Sequence, residues 1–203
     1  MAKVVSTVIF TLIICMGFVS SWLLVVNGFA STDEAPKYVG SEACKSCHLK
    51  EYKSWRNTKL ATAIEVLKPG AAGEIKKKTG IDPLKDYTGS GKCLKCHTTG
   101  YGEKGGFKSL SETPHLGGIG CESCHGPGEK YSEIMEKKGR IYEREELVKA
   151  GLILDLKAVC LKCHNEDSPV IGKDYKFVHK ERFKGVHIPG HLKYHKKEER
   201  FEE

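Results

Sequence analysis

Beyond residue 30 the chain is short of what a self-sufficient globular core is made from. Apolar side chains are only about a third of residues 31–203, thin for a core yet above the range of disordered chains. No segment of any length alternates with the two-residue period of a strand, which argues against a sheet-built fold. Methionine is nearly missing: of three, only Met135 lies past residue 30. No nucleophile stands with a general base in a convincing constellation, so hydrolases and group transferases find no candidate site.

From Val4 to Val26 the missing feature is charge. Gly28 and Ala30 are the small residues a signal peptidase needs before its cut, which favours an exported protein. The apolar run exceeds the usual leader core of roughly 7–15 residues and reaches the ~20 that span a bilayer. Residues 1–30 therefore read as a signal peptide or an N-terminal membrane anchor, with cleavage the favoured outcome. Cys15 follows Ile14 rather than a small residue, which argues against a lipoprotein-type cut. In either case residues 31–203 form one domain, in the periplasm or at the outer face of the cytoplasmic membrane. Without Lys3 that domain has 32 basic against 26 acidic residues, formally +6. Such a balance suits an acidic partner or anionic lipid better than nucleic acid, and solvated lysine-rich helix faces explain it equally well.

Cysteine is what the chain has in plenty. Apart from Cys15, eight cysteines form four pairs: Cys44 and Cys47, Cys93 and Cys96, Cys121 and Cys124, Cys160 and Cys163. An even count in an exported chain ordinarily suggests disulfides. Disulfides, however, require neither a fixed two-residue gap nor a histidine behind each pair. His48, His97, His125 and His164 follow the four pairs directly. Zinc ribbons complete their sites with thiolates alone and would leave those histidines unexplained. A thioredoxin-like dithiol needs one such pair, at a helix start. Covalent haem attachment uses every residue: two thiols add to the vinyl groups and the adjacent imidazole reaches the iron.

The sequence thus predicts four covalently bound haem c groups. Their macrocycles supply the apolar surface that the chain lacks. The apoprotein is not expected to fold stably, because binding and folding free energies are linked.

Each iron has a far side as well. With Met135 alone available, histidine–methionine ligation is open to one haem at most, so bis-histidine ligation and lower potentials are expected. Five histidines lie outside the motifs. His115 and His187 rank first as distal ligands, then His179 and His195. His191 ranks last, because it shares a helical face with His195 and Pro189-Gly190 separates it from His187. Each has a plainer reading too, as a solvated histidine in a loop or in the lysine-rich tail.

Leu49 to Leu67 carries Tyr52, Trp55, Ala63, Ile64 and Leu67 at helical spacing. Shorter helices are expected over Ala71–Thr79, Glu129–Lys138 and Tyr142–Ala150, another through Leu156, and a charged one from His191. The glycine-rich stretch from Gly89 to Gly120 should be loop. The fold class is therefore mainly α with long loops, the haems forming much of the core. The motif is the only internal repeat, with "CLKCH" at both Cys93 and Cys160.

The stretches "CKSCHLKEYKSW", "LKPG", "IDPLKDYTGSGKCLKCHTTGYGEKGGF" and "GIGCESCHGPG" resemble the tetrahaem cytochrome c-554 family, well from Tyr38 to Gly128 and loosely thereafter. The resemblance implies closely stacked haems and a role in passing electrons, as in members that accept them from hydroxylamine oxidoreductase in ammonia-oxidising bacteria. It also implies a distal histidine on the first helix, where this chain has Leu60, and another after the third motif, where it has none before Cys160. His115 stands where the ammonia-oxidiser protein has no histidine, and His187 matches its late distal ligand. A partial similarity to tetrahaem subunits of extracellular conduits keeps an oligomer or filament open.

Three functions follow. The first is an electron relay between a redox donor and an acceptor, such as a multihaem oxidoreductase or a quinone-linked membrane complex. The second is a small reductase of nitric oxide, nitrite or hydroxylamine at a five-coordinate haem, prompted by Leu60. The third is a filament or membrane-complex subunit, associated with the membrane through residues 4–26.

Overall fold

The computed structural model describes residues 35–138 and 141–166, together with residues 168 and 186. The segment 1–30, with its apolar run, and His179, His187, His191 and His195 lie outside the described residues. From Pro36 onward the described residues belong to one compact unit. They form eight short helices: α1 (Ser41–Cys44), α2 (Leu49–Arg56), α3 (Gly73–Lys78), α4 (Gly91–His97), α5 (Cys121–His125), α6 (Glu129–Lys138), α7 (Arg144–Lys149) and α8 (Leu156–Leu161). Two 3-10 turns, Glu65–Leu67 and Pro114–Leu116, lie between them. Among the described residues the only strand-like pairing is an isolated bridge between Thr98 and Gly117.

The helix expected over Leu49–Leu67 is cut short, because the following carbonyls serve other partners. After Arg56 the Thr58 hydroxyl donates to Trp55 O at 2.7 Å and accepts from Leu60 N, a local competition typical of threonine. Leu60 O then accepts from Ile119 N at 2.9 Å. In an α-helix Leu67 N would bond Ala63 O; here it bonds Ile64 O at 3.0 Å, leaving the Ala63 carbonyl available. The stretch expected as loop from Gly89 to Gly120 contains α4, so the second motif is itself helical.

Two small cores result. One joins Ile64, Leu67, Leu94, Phe107 and Leu116, with Tyr38, Tyr87 and Tyr101 against it. The other is a helical hairpin: Tyr131, Ile134 and Met135 recur at helical spacing on α6 and meet Leu147 and Ala150 of α7 and its end. Lys138 at the end of α6 pairs with Glu146 in the first turn of α7 at 2.5 Å, an exposed pair of little energetic weight.

Candidate haem sites

All four CxxCH motifs lie on or directly behind short helices. Cys93, Cys96 and His97 fall within α4, and Cys121, Cys124 and His125 span α5. Cys44 ends α1, and His48 N closes the following turn onto Cys44 O at 2.9 Å. The fourth repeats this geometry: α8 is capped by Asp155 accepting from Ala158 N at 3.2 Å, and His164 N bonds Cys160 O at 3.0 Å. A cysteine, a cysteine three residues on and a histidine one further thus stay within one helical turn, the compact tripod that attachment to one ring requires. Of the eight described cysteines, Cys47 is exposed and the rest are half-buried. No three His, Cys, Asp or Glu side chains among the described residues converge as a metal cage.

Sequence order and spatial order differ. Helix α1 packs on α5, and Cys44 is hydrogen-bonded to Cys121, a contact that with burial holds its thiol well above the usual range. Helix α5 packs on α8, and burial together with Cys160 and Cys121 pushes the Cys124 thiol up to about 11. Cys163 is hydrogen-bonded to Cys96, which raises its thiol likewise, and Cys163 Sγ lies 4.0 Å from Lys95 O. The cysteine contacts and helix packing thus pair the first motif with the third, the third with the fourth and the fourth with the second.

The surroundings fit imidazoles that bind iron. His97 Nδ1 lies 2.6 Å from Ala63 O. With a carbonyl opposite, Nδ1 carries the proton and donates it, so Nε2 keeps the lone pair a metal takes. The broken helix after Arg56 is what frees that carbonyl. Around the third motif, Thr99 Oγ1 accepts from Gly120 N at 2.9 Å and from Ser123 Oγ at 3.1 Å. Ser41 Oγ accepts from Cys121 N at 3.0 Å, tying α1 to α5. Behind His125 the chain turns at Gly126, where φ is +81° and an added Cβ would lie 2.3 Å from Gly151 O. Only glycine suits both demands.

Glu122 was not singled out by sequence reasoning. It lies inside the third motif, 2% exposed, and accepts from Val39 N, Gly40 N and Gly128 N at 2.9, 2.7 and 2.6 Å. Two of those partners are more than eighty positions away, so no local pattern betrays them. The role of Ala63, carried by its backbone oxygen, was equally invisible.

Of the distal candidates, only His115 falls among the described residues. It sits exposed on the turn Pro114–Leu116, which packs against α1. A Cβ added at Gly40 (φ +84°) would come within 2.9 Å of its Cδ2, so glycine lets the imidazole lie beside the helix carrying Cys44. Leu60 is half-buried and bound through its carbonyl to Ile119, two residues before the third motif. Met135 is engaged in the α6–α7 cluster.

The family described as cytochrome c554 and c-prime matches residues 43–126, a span that holds the first three motifs. Cytochrome c-554 of Nitrosomonas europaea is 37% identical over 160 residues, covering 75% of this chain and 68% of that one. A solved structure of the reduced state of cytochrome c554 from Nitrosomonas europaea matches with a TM-score of 0.65 at 35% identity, over 76% of this chain and 85% of that one.

Proposed function

Because the chain belongs to the cytochrome c-554 family, electron-carrying c-type cytochromes with four covalently bound haems, we propose that it relays electrons between redox proteins outside the cytoplasm. The haems supply the one-electron ferric–ferrous couple. The observation that supports this reading is the contact between motifs, first with third, third with fourth and fourth with second, which would make four redox centres neighbours rather than separate sites.

In this reading Cys44 and Cys47, Cys93 and Cys96, Cys121 and Cys124, and Cys160 and Cys163 are the thioether anchors. His48, His97, His125 and His164 are the proximal ligands. His115 serves as a distal ligand beside the first motif, a role supported by its packing against α1. The three remaining distal positions draw on His187 first, then on His179 and His195, with His191 ranked last. Residues 1–30 direct export, with cleavage favoured over retention as an anchor.

Leu60 favours one second reading, a reductase with a five-coordinate haem, because an aliphatic side chain stands where the family resemblance implies a distal histidine. The electron paramagnetic resonance spectrum of the purified, oxidised protein tests the choice. The relay predicts four low-spin haems and no carbon monoxide binding after reduction. A high-spin signal together with turnover of nitric oxide, nitrite or hydroxylamine overturns it.

A further inference from the structure

We propose that Glu122 is a fixed negative charge that lowers the reduction potential of the haem held by Cys121 and Cys124. The carboxylate is built into the interior. Oε1 accepts from Val39 N at 2.9 Å and Gly128 N at 2.6 Å, and Oε2 accepts from Gly40 N at 2.7 Å. Only donors face it, and the ionised, acceptor-only carboxylate is the form that suits them. No lysine or arginine among the described residues forms an ion pair with it. Backbone amides orient toward the charge and solvate it without cancelling it.

Its place in the fold gives the charge a target. Glu122 lies between the two anchor cysteines of the third motif, and three residues before His125, a spacing that makes side chains neighbours on a helix. Through Val39 N and Gly40 N it is also bound directly before α1, the helix that carries Cys44 of the first motif. Reducing ferric haem adds one electron, delivered by a redox partner, and the total positive charge of the centre falls by one. A buried anion nearby favours the more positive ferric state, and burial strengthens the interaction relative to water. Charge and hydrogen bonding around the centre are the levers a protein has on its potential. Held by three backbone N–H groups, the Glu122 carboxylate biases that step by its charge. It thereby separates the third centre from its neighbours.

Glu122 also latches residues 39–40 and 128 onto α5, so the test must separate charge from latch. Glu122→Gln removes the charge at constant size, and Glu122→Asp keeps the charge while shortening the latch. Both four-haem proteins are titrated spectroelectrochemically, with haem content counted as the pyridine haemochrome. The expected result is a shift of at least one of the four transitions to more positive potential in E122Q, with E122D close to wild type. Superimposable curves for E122Q and wild type overturn the proposal. So does an equal shift in E122D, which would mark a loosened fold.

Should E122Q fail to load four haems, the wild type decides through redox-difference infrared spectra with ¹³C-glutamate labelling. A glutamate carboxylate band that moves on reduction and is insensitive to deuterium supports the proposal; its absence overturns it. The proposal rests on haem attachment at the third motif, not on the relay. Small-molecule turnover by the wild type would overturn the relay and leave this shift intact.

Discussion

His97 and Ala63 meet at 2.6 Å, an imidazole nitrogen against a backbone oxygen, and the contact exists because the helix that begins at Leu49 stops at Arg56. It aims Nε2 away from the protein carbonyl, toward the side where an iron would be bound. The variant His97→Ala should retain haem at Cys93 and Cys96 yet lose its axial nitrogen. Its reduced form is expected to bind carbon monoxide at one haem where the wild type binds none, read from the Soret difference spectrum.

His115 lies beside α1 with no helix of its own to hold it, only a turn that begins with Pro114. As a distal ligand it should be replaceable without collapse of the fold. His115→Leu is expected to convert one haem from low-spin to high-spin, seen by electron paramagnetic resonance, at unchanged haem content. An unaltered spectrum would return His115 to the role of a solvated loop residue.

Gly126 combines a positive φ with a near-contact to Gly151 O. Strain of this kind costs about 1–3 kcal/mol per residue, before the carbonyl has to move. Gly126→Ala should therefore lower the thermal midpoint of the holoprotein by several degrees and reduce the yield of fully loaded protein. Circular dichroism melts and haem counts measure the two effects separately.

Leu94 is 2% exposed and occupies a variable position of the second motif, where it joins the larger apolar cluster. Its truncation to alanine should cost about 2–5 kcal/mol, as for other buried leucines. Denaturant unfolding of the loaded protein is the measurement. A much smaller loss would mean that neighbouring groups close the gap.

The motifs, the helical character and the meagre core were legible because each depends on residue type at short spacing. Glu129–Lys138 was read to the residue, since Tyr131, Ile134 and Met135 mark one face and glycine follows. The break after Arg56 was not legible. Ala63, Ile64 and Leu67 keep helical spacing, and what unwinds the chain is a hydroxyl at Thr58 together with partners at Ile119 and His97, far along the sequence. Glu122 was hidden for the same reason, its donors being backbone amides brought in by tertiary folding. Gly126, by contrast, could be read as a turn residue from "HGPG", and the structure supplies the reason for it in Gly151.

The motifs so paired have ends and a middle, and they are not equivalent. The fourth motif meets the second through Cys163 and Cys96 and the third through α8 and α5, so the last motif to leave the ribosome lies between others and is not a terminus. Damage at the first motif trims a wire from one tip. Damage at Cys160 or Cys163 should remove the centre that lies between the second and the third.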